Sequence, residues 1–490
     1  MSSQDQLILK LQEELERVKT GADIAWVNSC GYIIFFMQTG FCLLEAGAVR
    51  HKNHMHTILL QVLNALASVF GWWIFGFAFA YGNDNGKGFI GSKYFAGHEL
   101  LKDAHKMADW IFDMGSAATA AKIVSGAILE RVIPGTYFIY GIFMTAWIYP
   151  LAVHWAWHPQ GWLKQLGYID HAGSGVVHMT GGAAALAACL VIGPRLFRFS
   201  KKSETEAEIE KRIRYNHKNF DGNFVPFSAI GTLLLWYCWY GFNCGSSHAA
   251  VSTDESDNSS LIGIVGINTS IATSAGGMTL FAIVYIKSII VKDIQIKYDV
   301  GLVCNGLLAG AVAVTAGCGT IYPYAAFIIG VMAGIIYYAY ELLIFKLKID
   351  DPLHAGPIHL GTGSFGVAAV GIFHKEKGFL YGGGGKLFGV QLLGVVCYFA
   401  WSFFHTLVFF LLMKLCKWDR VSEEEEIAGC DVTSCGGSMV FNYDEESLKY
   451  YNEKSRKDLI NSSSYIMTSV NQISDPVKLD SDKELNAAKN

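Results

Sequence analysis

The sequence predicts an all-α polytopic membrane protein, with eleven transmembrane helices arranged as an inverted repeat of five plus five helices and one final helix. Composition is the first observation: 52% of the 490 residues are hydrophobic and only 16% are charged, whereas soluble domains carry about 25% charged residues. The second is a series of apolar runs long enough to span a bilayer. The third is an Asp-to-His motif that occurs once in each half of the chain.

Each predicted helix rests on an apolar run of about 20 residues, the length needed to cross a hydrocarbon core about 30 Å thick. The third run is the weakest, because Asp113 and Lys122 interrupt it. The eleven runs lie at about 24–46, 57–82, 110–130, 136–157, 172–193, 225–246, 259–286, 299–318, 321–345, 356–373 and 387–414.

Loop charge predicts the orientation, because basic loops stay on the cytoplasmic side of a membrane. Residues 194–224 hold eight lysines and arginines, whereas the alternate loops at 247–258 and 319–320 hold none. We therefore expect 194–224 to be cytoplasmic, with the N-terminus outside the cell and the C-terminus inside. Four lysines in the loop at 83–108 argue weakly against this orientation.

An amphipathic extracellular segment, residues 1–22, precedes the transmembrane domain, which is predicted to cover residues 23–415. Its apolar residues recur at heptad spacing and are Ile8, Leu11, Leu15 and Val18. Two interpretations stay open. The segment is either a helix packed on the protein's own surface or a short coiled coil between subunits, although two heptads are marginal alone.

A polar tail, residues 416–490, follows the last apolar run and is predicted to be cytoplasmic. Beyond about residue 445 it is rich in Ser, Lys and Asp. Such a segment cannot bury enough apolar surface to fold, so we expect disorder there.

The stretches DHAGSGVVH (170–178) and DPLHAGPIH (351–359) share one pattern. Each begins with an aspartate, ends with a histidine eight positions later, and has a glycine three residues before that histidine. Two halves of five helices each must be inverted relative to one another, as in many transporters. Asp170 and Asp351 are predicted to be helix N-caps, since carboxylates suit helix starts.

Helix geometry places the two histidines of the repeat at similar depths. Eight residues at about 1.5 Å per residue put His178 and His359 about 12 Å beyond their aspartates. Because the two helices enter a core about 30 Å thick from opposite faces, the imidazoles lie at about 12 and 18 Å and can meet. A lone membrane histidine is more often a link between helices, but intramembrane ionisable groups usually face the interior or a pore. The symmetric pair favours a pore.

Several motifs, taken together, resemble the ammonium transporter (Amt/Mep/Rh) superfamily. They are DHAGSGVVHMTGG (170–182), WYGFNCGSS (239–247), DDPLHAGPIH (350–359) and RVSEEEEIAGCDVTS (420–434). Two more are similar to its plant-like high-affinity branch: ADIAWVNSCGYIIFFMQTGFCLLEAGAVRHKN (22–53) and HWAWHPQGW (154–162). The resemblance covers about residues 20–437. It implies the ammonium transporter fold, one pore per subunit and a homotrimer in the plasma membrane.

The resemblance also implies roles for single residues. The twin pore histidines fall on His178 and His359. The outer ammonium-binding site falls on the recruiting pair, one phenylalanine of the outer gate and an aspartate near the vestibule: Trp157, Ser246, Phe242 and Asp170. In the tail, Thr433 lies where plant-branch members carry a phosphorylatable threonine, which implies a cytoplasmic kinase or another regulatory partner.

Three positions depart from the family pattern. Ser116 stands where the other gate phenylalanine is expected, and a serine cannot stack on a cation. Lys122 is unexpected in the same helix, and Cys435 replaces a histidine of the tail motif. The family pattern is therefore incomplete at the outer cation site, whereas both histidines of the pair match it.

Chemistry supports the outer residues, and each also has an ordinary interpretation. A cation over an indole face gains about 0.5–2 kcal/mol, so Trp157 suits ammonium, and the Ser246 hydroxyl can accept an N–H bond. Trp157 is equally suited to the membrane interface, Ser246 to a capped helix end, and Phe242 to packing beside Gly241.

A transporter of this kind must separate ammonium from K⁺, which has a similar size but no proton to lose. A narrow apolar bore excludes hydrated ions, because stripping their water is too costly, whereas neutral ammonia passes. Two hydrogen-bonded neutral imidazoles offer ammonia a donor and an acceptor, and they offer the released proton a path.

The predicted substrate is therefore ammonium or ammonia, with methylammonium as an analogue, and the predicted surroundings are membrane lipid. We expect no enzyme activity, cofactor or nucleic acid. No metal site is expected at HKNHMH (51–56), which lies in a basic turn. Two alternatives stay open: an ammonium sensor that transports little and signals through its tail, and, more remotely, a membrane metalloenzyme or haem protein that uses His178 and His359 as ligands.

Overall fold

The computed structural model describes residues 3–84, 86–200, 205, 220, 224–251, 258–292 and 298–436. Its regular elements in these ranges are helices, which confirms the predicted all-α fold class. The expected disorder beyond residue 445 concerns residues outside the described part of the chain.

Eleven long helices of the described chain follow the predicted runs in order. They are α1 (Ser3–Ala48), α2 (His54–Gly71, continued by Trp72–Gly76 and Phe77–Tyr81), α3 (Ala104–Ile128), α4 (Pro134–Phe143, continued by Met144–Ile148 and Tyr149–Trp157), α5 (Ser174–Met179, continued by Thr180–Ile192), α6 (Val225–Gly245), α7 (Asn258–Val291), α8 (Val300–Val314), α9 (Pro323–Lys346), α10 (Gly356–Gly361, continued by Thr362–Phe373) and α11 (Lys386–Leu415). Two short tail helices, α12 (Glu423–Ala428) and α13 (Cys430–Ser434), follow them.

Nine helices in the described ranges are long and apolar enough to cross a membrane. The two others are α3, which buries Asp113 and Lys122 along its length, and α8, which has only 15 residues. Eleven crossings therefore stay a prediction.

Local sequence signals explain where several helices begin. Asp103 caps α3 by accepting hydrogen bonds from the backbone of His105 and Lys106, and Asp299 caps α8. Proline lies in the first turn of α4 and of α9, where its missing N–H costs nothing.

The N-terminal segment continues α1 without a break, so that helix has 46 residues. All residues from 3 to 18 are exposed. The expectation that this segment packs on the protein's own surface is therefore wrong, because an unbroken helix carries it away from the bundle. The alternative of a coiled coil between subunits stays a prediction.

Glycines set the crossing of α5 and α10 at the centre of the bundle. A Cβ atom on Gly182 of α5 would overlap the backbone of His359 and Leu360 on α10. A Cβ atom on Gly363 of α10 would lie 2.8 Å from the Ser174 carbonyl oxygen on α5. Small residues allow two helix backbones to touch, and this reciprocal contact brings the two π-helical turns that begin α5 and α10 together.

The tail folds back onto one end of the bundle, which we call the tail face. The Val421 N–H donates to the Arg131 carbonyl (3.0 Å), and the Cys430 N–H donates to the Asn53 side chain (2.9 Å). These contacts join α12 and α13 to the segments that follow α1 and α3.

Candidate functional site

His178 and His359 face each other where α5 and α10 cross. Their Nδ1 atoms are 3.3 Å apart and their ring centroids 5.3 Å apart, with the planes 18° from parallel. Both side chains are buried. The predicted meeting of the two rings is confirmed. Because one Nδ1 must donate and the other accept, one ring is left with an acceptor Nε2 and the other with a donor Nε2.

Both histidines lie in π-helical turns, Ser174–Met179 and Gly356–Gly361. The His178 N–H donates to the Gly173 carbonyl five residues earlier (3.0 Å). Such turns widen a helix and are frequent at functional sites. Nothing in the sequence pattern predicted them, although Gly173, at φ 108°, marks the start of the first.

Asp170 caps the His178 helix with both carboxylate oxygens. Its Oδ1 accepts from Gly173 and Ser174 (2.8 and 3.0 Å), and its Oδ2 accepts from Gly175 and Val176 (2.8 and 3.1 Å). The N-cap interpretation is confirmed. Since these four backbone donors use both oxygens, Asp170 holds the turn in place.

Asp351 caps the His359 helix in the same way. Its Oδ1 accepts from the Ala355 N–H (3.0 Å) and its Oδ2 from the Gly356 N–H (2.7 Å). The N-cap interpretation is confirmed here too, so the repeated aspartates fix the repeated histidines.

Replacing Asp170 with alanine is expected to destabilise the protein by several kcal/mol, since each buried donor left without a partner costs about 1–3 kcal/mol. Transport should fall with it, because His178 loses its fixed position. Thermal unfolding in detergent and uptake assays measure the two effects. Asp170→Asn keeps one acceptor oxygen and should fall between Asp170→Ala and wild type. Equal stability of all three proteins would contradict the capping role.

Aromatic rings surround His178. Trp239 stacks on it, with centroids 5.1 Å apart and planes 15° from parallel, and Phe242 lies 5.6 Å away. The Trp239 indole N–H donates to the Thr315 hydroxyl (3.0 Å). Sequence reasoning missed Trp239, although its position one helical turn before Phe242 was a signal.

Trp157 and Ser246 both have partners within the protein. The Trp157 indole N–H donates to the Asp170 carbonyl (2.7 Å), and the Ser246 hydroxyl donates to the Phe242 carbonyl (2.8 Å). The Ser246 bond fits the helix-end interpretation and leaves the oxygen lone pairs as acceptors. Both side chains are half-buried.

Lys122 has a polar environment that the sequence did not predict. Its ammonium donates to the Gln38 carbonyl (3.0 Å) and interacts electrostatically with buried Glu45. Glu45 accepts hydrogen bonds from Ser125 (2.8 Å) and Gln61. The unexpected lysine therefore belongs to a compensated buried network between α1, α2 and α3.

A cavity of about 600 Å³ opens at the tail face beside the start of α10. Asp351, His354 and Glu341 are among its lining residues. Burial, and next the charge of Arg198, lowers the pKa of His354 to about 4. This imidazole is therefore neutral at physiological pH, and the Tyr337 hydroxyl lies 3.0 Å from its Nδ1.

Four charged side chains form a buried cluster at the tail face. Arg195 contacts Asp350 (2.8 Å) and Glu130 (3.2 Å), and Arg50 also contacts Glu130 (2.5 Å). Although burial favours the neutral acid, Arg50 and Arg195 hold the pKa of Glu130 at about 2. The cluster links the ends of α1, α3 and α5 to the loop before α10.

One group of potential metal ligands in the described chain consists of Asp84, His154 and His158 and includes neither histidine of the pair. The imidazoles of His154 and His158 are stacked, 4.3 Å apart and 12° from parallel. Their in-plane lone pairs therefore do not converge on one ion. His154 also contacts Asp84 (3.3 Å) and the Ala80 carbonyl (2.8 Å). We assign no metal there.

Comparison with known proteins identifies the family. A sequence profile of the Ammonium Transporter Family matches residues 25–440. This chain belongs to the ammonium transporter family. It is 35% identical over 454 residues to "Ammonium transporter 1 member 3" of Solanum lycopersicum, covering 86% of this chain and 94% of the relative. It is also 35% identical over 442 residues to "Ammonium transporter Amt2" of Archaeoglobus fulgidus, covering 85% and 88%.

Solved structures agree with this family. A "Sensor Amt Protein" superposes with a TM-score of 0.75 at 33% identity, covering 86% of this chain and 99% of that one. Mep2 of Saccharomyces cerevisiae has the same fold, with a TM-score of 0.70 at 24% identity, covering 82% of this chain and 87% of that one.

Proposed function

We propose that this ammonium transporter family member recruits NH₄⁺ at an outer vestibule, deprotonates it, and passes NH₃ through a hydrophobic pore while the proton is relayed separately. The observation that carries this proposal is the buried contact between His178 and His359, with Nδ1 atoms 3.3 Å apart. One ring of such a pair can accept a hydrogen bond from ammonia while the other donates.

The surroundings of the pair support selection of a neutral molecule. Trp239 and Phe242 pack on His178, and a hydrated K⁺ ion would have to lose its water against these apolar faces. Ammonium avoids that cost because it releases its proton and passes as neutral NH₃. The proton then moves along the shared Nδ1–Nδ1 hydrogen bond, and transport carries net charge.

The proposed outer site consists of Trp157, Ser246 and Phe242, with Asp170 as the residue that positions it. An indole face attracts a cation, and the Ser246 oxygen has lone pairs free after it donates to Phe242. The hydrogen bond from Trp157 to the Asp170 carbonyl (2.7 Å) ties this site to the cap of the His178 helix.

We place the protein in the plasma membrane as a homotrimer surrounded by lipid, with the N-terminus outside and the tail face in the cytoplasm. The eight basic residues of 194–224 support this orientation, because basic loops remain in the cytoplasm. The tail then meets cytoplasmic kinases or other regulatory partners.

Uptake of labelled methylammonium into cells that lack ammonium transporters, combined with ammonium-evoked current, tests the proposal. Uptake with an inward current supports ion-coupled transport. A second candidate, an ammonium sensor, has one observation in its favour, the similarity to a solved "Sensor Amt Protein". Ammonium binding to the purified protein without uptake or current would replace the transporter proposal with the sensor.

Thr433→Asp, which imitates phosphorylation, is expected to release the tail and lower transport several-fold. Thr433 lies on α13, close in sequence to Asp431, whose pKa burial raises to about 6. The site therefore already disfavours negative charge, and a further charge adds repulsion. Uptake and protease sensitivity of the tail measure the effect. Thr433→Val is the matched neutral control, and an undiminished Thr433→Asp rate would contradict this role.

A further inference from the structure

The outer part of α3 contains a buried carboxylate with most of its hydrogen-bonding capacity unused. Asp113 is fully buried, and neither of its oxygens accepts a hydrogen bond in the described structure. The Tyr81 hydroxyl faces this carboxylate, but one hydroxyl can donate only one of the about four hydrogen bonds that a carboxylate can accept. An unpaired buried carboxylate is costly, so its presence points to a missing donor.

The neighbouring charges do not supply that donor. His248 and Lys106 interact with Asp113 only at longer range, because both contact Asp109, at 3.2 and 3.4 Å. Asp109 lies one turn before Asp113 on the same face of α3 and is therefore neutralised, whereas Asp113 is not.

Two hydroxyl groups lie next to this carboxylate. The Tyr149 hydroxyl of α4 interacts electrostatically with Asp113 and faces the Ser116 hydroxyl at hydrogen-bonding range. Ser116 is one turn after Asp113, at the position where the family resemblance expects a gate phenylalanine. A hydroxyl thus stands where an aromatic face is expected, with the Tyr149 hydroxyl and the Asp113 carboxylate close to it.

This place lies along the proposed ammonium path. Outer α3 packs against the turn that follows α6 and carries Ser246: the Phe112 and His248 rings are 5.0 Å apart. On the other side, α3 contacts both α4 and the π-helical turn that carries His178. Along α3, Asp113 directly follows Phe112 at the level of the outer turn, whereas Ala120, two turns later, packs against Gly181, three residues after His178.

We propose that Asp113, Tyr149 and Ser116 form an ammonium-binding site that takes the place of the gate phenylalanine expected at position 116, beside the proposed outer site. This inference rests on the proposed transport function. The tetrahedral N–H groups of NH₄⁺ suit oxygens that approach from several directions, and the carboxylate is the charged partner. In this site a fixed charge and hydrogen bonds hold the cation. In the family pattern, a phenyl ring at position 116 would do so.

The test measures the concentration dependence of ammonium current in the full-length protein. Asp113→Asn keeps the shape and removes the charge, and it should raise the half-saturating ammonium concentration at least tenfold while changing the maximal current less. Asp113→Glu should recover part of the affinity. Asp109→Asn is the matched control and should change half-saturation less than threefold, because Asp109 already has two cationic partners. An unchanged half-saturation in Asp113→Asn overturns the proposal.

Tyr149→Phe keeps the test decisive if Asp113→Asn fails to reach the membrane. It removes one hydroxyl from a site that otherwise stays packed, and it should raise half-saturation several-fold; an unchanged value overturns the site. If the wild-type protein gives neither uptake nor current, the transport function fails by itself. Calorimetric titration of ammonium into purified wild type and Asp113→Asn then decides the site: weaker binding to the variant supports it, and equal binding overturns it.

Discussion

Replacing either His178 or His359 with alanine is expected to lower ammonium-evoked current and methylammonium uptake at least a hundredfold. Each variant keeps one imidazole, but the hydrogen bond between the two Nδ1 atoms is lost. The remaining ring then offers ammonia a single polar partner, and the proton path ends there. Current and labelled uptake, normalised to protein at the cell surface, measure the loss.

His405→Ala is the matched control, because His405 is a histidine of another long helix, α11, where it is half-buried beside Trp401. It should keep most of the wild-type rate. Normal uptake and selectivity in both His178→Ala and His359→Ala would make the pair a structural link between helices, which is the ordinary interpretation of membrane histidines. If the two variants keep the full transport rate but lose selectivity for ammonium, the histidines line a pore but do not relay the proton as proposed.

The central geometry could be predicted from sequence because it depends on spacing. Asp170 with His178 and Asp351 with His359 repeat one interval, and a helix converts that interval directly into depth. Two helices that enter from opposite faces must then bring the rings together. The backbone N–H groups that donate to the two aspartates confirm the predicted N-caps.

Other features depend on contacts between distant segments, and no local pattern reveals those. Lys122 looked anomalous until α1 placed Glu45 near it, 77 positions away in sequence. The exposure of the N-terminal segment followed from the unbroken length of α1, which heptad spacing cannot show. The isolation of the Asp113 carboxylate depends on what Asp109 already binds. Burial and pairing are tertiary properties, so candidate residues could be named from the sequence but their partners could not.

Arg195→Met is expected to destabilise the protein by about 3–5 kcal/mol, the usual cost of removing one member of a buried ion pair. Arg195 donates to both Asp350 oxygens and to Glu130, and its side chain is 3% exposed. Methionine fills part of the volume but leaves the Asp350 carboxylate buried without its main partner. Thermal unfolding in detergent, followed by size-exclusion chromatography, measures the change.

Arg198→Met is the matched control, because that side chain is 30% exposed and 3.7 Å from Asp350; it should cost less than about 1 kcal/mol, as exposed pairs do. The double variant Arg195→Met/Asp350→Asn should recover part of the loss, since it removes the unpaired buried charge.

The dependence of stability on acid pH is a further test of the cluster. Arg50 and Arg195 hold the pKa of Glu130 at about 2, below its ordinary 4.5, so its stabilisation is present above 4.5 and is lost as the pH falls toward 2. Arg195→Met weakens that depression, and the variant should lose less stability than wild type across this acid range. Equal stability of Arg195→Met and Arg198→Met would show that the buried cluster does not hold the tail face together.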